Sequence, residues 1–166
     1  MKRVVILGRG AAGKSTLARQ LGEMTGLPTT ELDKLFWQSR LAPTLRAEWT
    51  ALQEQVAQKD SWILDGDLGP HDVVEVRLRA ADTVILLDFG LLRCTWRALR
   101  RARERADFWR WVFTYRRDSV PHLGAMIARH SPNATVHILR SPTDVKQFLS
   151  DVTRQFGTSG DGPRRP

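Results

Sequence analysis

The segment GRGAAGKS at positions 8–15 has the residue types and spacing needed to hold a polyphosphate. Its glycines let the main chain approach phosphate oxygens closely, and backbone N–H groups at a helix amino terminus can donate to them. Lys14 is placed to reach the β and γ phosphates, and the Ser15 hydroxyl to ligate Mg²⁺. The predicted nucleotide-binding set is Gly8, Gly10, Ala11, Ala12, Gly13, Lys14, Ser15 and Thr16.

The same residues also spell the G-x-G-x-x-G pattern of dinucleotide-binding folds, with Glu31 or Asp33 near the expected ribose-binding acid. A triphosphate with its metal requires a lysine and a hydroxyl directly after the last glycine, whereas a pyrophosphate site does not. Lys14 and Ser15 occupy those two positions, and the chain has no room for a second substrate domain. The pattern therefore favours a phosphate loop for a nucleoside triphosphate.

Carboxylates follow three of the predicted strands, and two of them could serve the metal. A magnesium triphosphate complex usually needs an acid beyond the loop hydroxyl, often acting through water. Asp65 and Asp88 both qualify, and we favour Asp65 because SWILDG at 61–66 places a carboxylate and a permissive glycine together at a strand end. The alternative for each is an acid that caps the following turn.

Asp33 is the candidate for the acceptor side of the site. It could orient an acceptor hydroxyl or act as its base, while Phe36 and Trp37 shape a pocket. The alternatives are an acid at a helix start and aromatic side chains in the core.

Arginines between 93 and 117 could neutralise charge during phosphoryl transfer, because a lid that closes over the nucleotide lowers the barrier. Arg93 with Arg97, and Arg97 with Arg101, lie four residues apart on one helix face. The alternatives are a solvated basic helix or a nucleic-acid surface, since tryptophans are interleaved with these arginines. A nucleotide-dependent regulatory module without turnover is a third possibility.

Composition places these residues in one compact domain. The chain has 166 residues and a formal net charge of +8, which attracts anions without choosing among them. The lone Cys94 is expected to be a buried apolar residue, and the four histidines show no metal-binding spacing. No stretch predicts a signal peptide or a membrane span. We expect a cytoplasmic monomer or weak homodimer, with a domain at 1–156 and a disordered tail at 157–166.

Short apolar strands alternate with helical patterns, which predicts an α/β domain with a largely parallel sheet covered on both faces. Ligands bind such sheets at the carboxyl ends of the strands, where the phosphate loop and the three acids all lie. We predict strands at 2–7, 27–32, 61–64, 83–87 and 135–139. The predicted helices span 14–25, 46–58, 72–79, 91–128 and 142–156, with Pro121 as a break in the fourth.

The chain resembles the P-loop kinase-like topology modulation proteins, which are related to adenylate and shikimate kinases. The resemblance covers most of residues 2–150 and is carried by VVILGRGAAGKSTLARQLGE, LDKLFW, SWILDGD, RAADTVILLD, WVFTYRRDSVP and HILRSPTDVKQFL. It implies a three-layer P-loop NTPase fold with a five-stranded parallel sheet in the order 2-3-1-4-5, ATP on the loop, and a small-molecule acceptor. By similarity, Asp33 and Asp65 serve the acceptor or the metal, and Arg97 and Arg101 form the lid over the nucleotide. Arg140 and Ser141 lie near the base of the nucleotide.

The sequence departs from that family in two places. After Asp65 it reads GDLGPHDVVEVRL, where relatives have an Asn-Tyr pair and then an arginine, and the arginine-rich section before Phe108 is shortened. A reduced lid would slow transfer or change the acceptor, so these departures bear on catalysis more than on nucleotide binding.

Overall fold

The computed structural model describes residues 1–36, 45–68, 72–99 and 106–157, and the side chains of 97, 98, 106–112 and 118 are outside that description. Five strands form one sheet: β1 Arg3–Gly8, β2 Thr29–Glu31, β3 Trp62–Asp65, β4 Thr83–Leu87 and β5 Thr135–Leu139. The helices are α1 Lys14–Thr25, α2 Leu32–Phe36, α3 Arg46–Ala57, α4 Val74–Ala80, α5 Leu91–Leu99, α6 Ala106–His130 and α7 Pro142–Gly157.

The strands run in the order β2-β3-β1-β4-β5, and every neighbouring pair is parallel. β1 is the central strand, and its Ile6 lies opposite Asp65 of β3 and Ile85 of β4. Because parallel strands end at the same edge, this register brings the phosphate loop and the loops after β3 and β4 together. The predicted order and direction of the sheet are confirmed.

Alternate residues of the strands pack into two separate hydrophobic cores, one on each face of the sheet. On one face, Val5 and Leu7 pack with residues of α3, α4 and α6. On the other face, Val4 and Ile6 pack with residues of α1 and α7. Cys94 is fully buried in this second core, in line with its predicted role as a small apolar residue. The sheet is thus covered on both faces, as the three-layer prediction requires.

Pro121 does not break the long helix, so that prediction was wrong. α6 continues through it to His130. A proline inside a helix costs about 3 kcal/mol, because it removes one hydrogen bond and crowds the preceding turn. Here Tyr115 before it and Leu123 and Ile127 after it are all buried in the same core, which holds both halves of the helix against the sheet.

The second strand is shorter than predicted. It spans only Thr29–Glu31, and Leu32 already begins α2. Leu32 and Phe36 turn inward to the core, and Asp33 provides the acidic residue of the first helical turn, where a negative charge is favourable. Residues 158–166 of the predicted tail lie outside the described residues.

Among the described residues, we find no helix with the length and apolar character that crossing a membrane demands.

Candidate functional site

The loop between β1 and α1 has the backbone geometry of an anion cradle. Gly8, Ala11 and Gly13 have φ values of 147°, 60° and 102°, so three of the six positions from Gly8 to Gly13 have positive φ. Main-chain bends of this kind can turn N–H groups toward an anion. A side chain at Gly8 is excluded because its Cβ would lie 2.7 Å from the Leu87 carbonyl oxygen. Gly13 caps the amino terminus of α1 without a side-chain cap, which leaves the first N–H groups of the helix available to an anion.

Lys14 lies inside the loop, in the position predicted for the phosphate-binding lysine. It is 7 % exposed, and its ammonium donates to the carbonyl oxygens of Gly8 and Arg9 at 2.9 and 3.4 Å. The loop therefore folds around the ammonium, and the positive charge is concentrated where polyphosphate oxygens would arrive.

Ser15 and Asp65 are brought together. Asp65 ends β3, with Ile6 and Glu31 as its neighbours across the sheet, and the Ser15 side chain lies close to its carboxyl group. Burial raises the pKa of the Asp65 carboxyl, while Lys14 and the Ser15 side chain act in the opposite direction. The predicted metal pair thus consists of neighbouring side chains.

The donor atoms suit Mg²⁺. The Oδ1 atom of Asp65 is buried and has no hydrogen-bond partner among the described residues, which leaves a carboxylate oxygen available beside an exposed hydroxyl. Mg²⁺ takes one or two protein oxygens and completes its shell with phosphate and water. In the described part of the chain, no group of three or more His, Cys, Asp or Glu side chains is arranged to hold a metal ion.

Asp33 lies beside Gly66, which is in the loop that follows β3. A Cβ on Gly66 would lie 3.0 Å from its Oδ1, so the carboxylate rests directly on the loop after β3. Asp33 is exposed as a whole residue, but neighbouring residues shield its carboxyl group from much of the surrounding water. That burial, together with the negative charges of Asp65, Asp67 and Asp72, raises the pKa of Asp33 to about 6, against the opposing effect of Lys14.

Arg77 anchors the loop after β3, and sequence reasoning did not single it out. It is fully buried, and one of its nitrogens donates to the Gly66 carbonyl oxygen at 2.9 Å and to Asp72 at 2.6 Å. The other nitrogen donates to Asp72 at 2.8 Å and to Gln53 at 2.9 Å. Gly66 is thus held between Arg77 on one side and Asp33 on the other. The sequence did contain a signal for this contact: Asp72 and Arg77 lie five residues apart, on either side of the start of α4.

Asp67 and Tyr115 form a second contact that the sequence did not reveal. The Tyr115 hydroxyl donates to Asp67 Oδ2 at 2.8 Å, and both side chains are buried. This bond connects the loop after β3 with α6, the helix that follows the predicted arginine lid.

Asp88, the other metal candidate, has different neighbours. Arg116 and Arg140 lie 3.6 and 3.8 Å from its Oδ2 atom. Ser141 directly precedes α7. Its hydroxyl donates to Asp144 at 2.6 Å and accepts from the Asp144 amide, an arrangement that caps the helix. Arg140 and Ser141 therefore lie at the carboxyl end of β5, and their predicted contact with the nucleotide stays a prediction.

The remaining predicted residues lie in the core, on the surface or outside the described residues. Phe36 is core, packed edge to face on Trp49 at 5.2 Å, and Trp37 lies outside the described residues. Arg101 and the side chain of Arg97 also lie outside them, so the predicted lid stays a prediction. Thr16 is exposed in the first turn of α1.

The fold is similar to that of solved kinases. Shikimate kinase from Acinetobacter baumannii, in complex with shikimate, is similar with a TM-score of 0.64 and 13 % identity, over 98 % of this chain and 96 % of that one. An unliganded sugar kinase from Janibacter is similar with a TM-score of 0.52 and 16 % identity, over 96 % of both chains. No family model matches the chain, and no curated protein does either. At these identities the similarity shows a P-loop kinase fold, and the narrower family resemblance stays a prediction.

Proposed function

We propose that this protein binds ATP with Mg²⁺ and transfers the γ-phosphoryl group to a hydroxyl or phosphate of a small molecule. The observation that carries the proposal is the meeting of four groups at one sheet edge: the loop ammonium of Lys14, the hydroxyl of Ser15, and the carboxylates of Asp65 and Asp33. The first three suit a magnesium polyphosphate, and the fourth lies beside Gly66 in the loop after β3. The P-loop kinase fold of the solved neighbours supports the same reaction class.

In this mechanism the loop N–H groups and Lys14 bind the phosphates and stabilise the charge that develops on them during transfer. Ser15 and Asp65 would hold Mg²⁺, which would neutralise part of the phosphate charge when bound. Asp33 orients the acceptor hydroxyl and accepts its proton. A pKa near 6 leaves this carboxylate charged at neutral pH and more basic than an ordinary aspartate.

Purified protein incubated with ATP, Mg²⁺ and a panel of polyols, sugars, hydroxy acids and nucleoside monophosphates tests the proposal. We expect ADP release that depends on one class of acceptor and that is lost in Lys14→Met. Arg19→Met is the matched control, because it removes one exposed positive charge from the same helix. Tight ATP binding without acceptor-dependent ADP release would defeat the kinase proposal and leave a regulatory nucleotide-binding module.

A further inference from the structure

Arg9, the second residue of the phosphate loop, is a buried cation whose role the proposed mechanism leaves open. It is 2 % exposed, and its guanidinium carbon lies 5.6 Å from the centre of the Tyr115 ring. One terminal nitrogen donates to the Phe89 carbonyl oxygen at 3.5 Å, a long contact. Its Nε is buried and has no hydrogen-bond partner among the described residues. The guanidinium is thus poorly satisfied.

In the described part of the chain, no carboxylate forms an ion pair with Arg9. The two acids on neighbouring loops have other contacts: Asp88 is close to Arg116 and Arg140, and Asp67 accepts the Tyr115 hydroxyl. Tyr115 does not supply a negative charge, because burial and the nearby Asp67 raise the pKa of its phenol further above its usual range. The charge of Arg9 is therefore offset, among the described residues, by a carbonyl dipole and an aromatic ring.

A buried charge without a partner destabilises a folded protein, and a bound anion offsets part of that energetic cost. The main chain of Arg9 belongs to the loop that holds Lys14, since its carbonyl oxygen accepts from the Lys14 ammonium at 3.4 Å. The Arg9 guanidinium lies between the Phe89 carbonyl oxygen, which follows β4, and the ring of Tyr115, whose hydroxyl bonds to the loop after β3. The charge is therefore at the edge of the sheet that carries the phosphate loop. A carboxylate partner would cancel its field there, and the structure provides none among the described residues.

We propose that Arg9 is a binding residue of the polyphosphate site, where its buried charge, which pairs with no described carboxylate, strengthens the attraction for phosphate oxygens and destabilises the ligand-free protein. This inference rests on the proposed nucleotide site. It assigns a role to a residue that the loop motif itself leaves unspecified.

The test compares Arg9→Met, which has similar length and no charge, with Arg9→Lys and the exposed control Arg19→Met. Thermal unfolding of each protein is measured without ligand, and inorganic pyrophosphate is then titrated in the presence of Mg²⁺ by calorimetry. We expect Arg9→Met to melt at a higher temperature than wild type without ligand and to bind pyrophosphate about tenfold more weakly. Arg9→Lys keeps most of the affinity, and Arg19→Met matches wild type in both measurements.

The two readouts separate this role from a structural one. If Arg9 served packing alone, Arg9→Met would unfold at a lower temperature, or fail to fold, and either result would overturn the inference. Unchanged pyrophosphate affinity in Arg9→Met would overturn it as well. A wild-type protein that binds neither pyrophosphate nor ATP would instead contradict the proposed function itself, so the two failures are distinguishable.

Discussion

The Ser15 side chain lies beside the Asp65 carboxyl and favours its charged form, against the effect of burial. Ser15 lies in the first turn of α1, and Asp65 ends β3, so the contact depends on the parallel register that pairs Asp65 with Ile6. Because the Oδ1 atom of the carboxylate is buried without a partner among the described residues, the pair presents an unused acceptor next to a hydroxyl. That relationship is the basis of the metal prediction.

Ser15→Ala and Asp65→Asn should each weaken the binding of Mg²⁺ to the complex of the protein with ATP. Removing one oxygen ligand leaves the ion held mainly by phosphate and water, so we expect the Mg²⁺ concentration for half-maximal ATP affinity to rise about 10- to 100-fold. Calorimetric titration of ATP at a series of Mg²⁺ concentrations measures this. Asp88→Asn is the matched control, and a larger effect there than in Asp65→Asn would move the metal site to the end of β4.

The acceptor-dependent rate should rise with pH through about 6 and then level off. Asp33 must be deprotonated to accept a proton, and burial and neighbouring carboxylates raise its pKa to about 6. A pH profile of kcat/KM for wild type and Asp33→Asn measures this, with Asp33→Asn losing both the rate and the rise. An acidic limb that persists unchanged in Asp33→Asn would assign the titration to another group.

Asp33 should also lower stability at neutral pH. Its raised pKa means that the folded protein disfavours the charged carboxylate, so the penalty is complete above about pH 6 and disappears below the ordinary aspartate range. Asp33→Asn should therefore stabilise the protein at pH 8, by about 1 kcal/mol after allowance for solvent screening. Denaturant unfolding at pH 8 and pH 4 measures this, and equal gains at both pH values would contradict it.

Much of the fold can be predicted from the sequence because two signals are local. Apolar runs such as Val4 to Leu7 and Thr83 to Leu87 are typical of buried strands, and the phosphate-loop motif predicts a helix directly after the first of them. The order of strands came from the family resemblance and is confirmed. The predicted break at Pro121 is wrong because the core packing of Tyr115 and Leu123, on either side of it, outweighs the local preference of a proline.

The site was harder to predict, because its supporting contacts join residues that are far apart in the sequence. Lys14 and Ser15 belong to a contiguous motif, whereas the contacts of Arg77 with Gly66 and Gln53 join separate elements that share no pattern. The Tyr115 contact with Asp67 likewise depends on how α6 crosses the sheet. Sequence patterns identify groups that could touch a ligand, but the groups that hold them in place emerge only once the chain is folded.

Arg77→Met should destabilise the protein by about 3–5 kcal/mol, because it leaves the buried Asp72 carboxylate without its partner. The double variant Arg77→Met with Asp72→Leu should recover most of that loss, since it removes both charges. It should nevertheless need more Mg²⁺ for half-maximal ATP affinity, because the Gly66 carbonyl oxygen has lost its hydrogen bond from Arg77. Urea unfolding and the magnesium titration measure the two effects. Exposed Arg79→Met on the same helix is the control, and a double variant that binds normally would limit Arg77 to a stability role.

Gly66→Ala should impair both stability and transfer. Its φ of 152° is rare for side chains, and a Cβ would lie 2.9 Å from the Leu32 Cβ and 3.0 Å from the Asp33 Oδ1. We expect a loss of about 2–4 kcal/mol from backbone strain and overpacking. The displaced carboxylate should reduce acceptor-dependent ADP release more than ATP affinity. Gly90→Ala is the matched control because nothing lies within 4 Å of its added Cβ. Equal losses of ATP affinity and transfer in Gly66→Ala would mean that the methyl group disturbs the whole loop rather than Asp33.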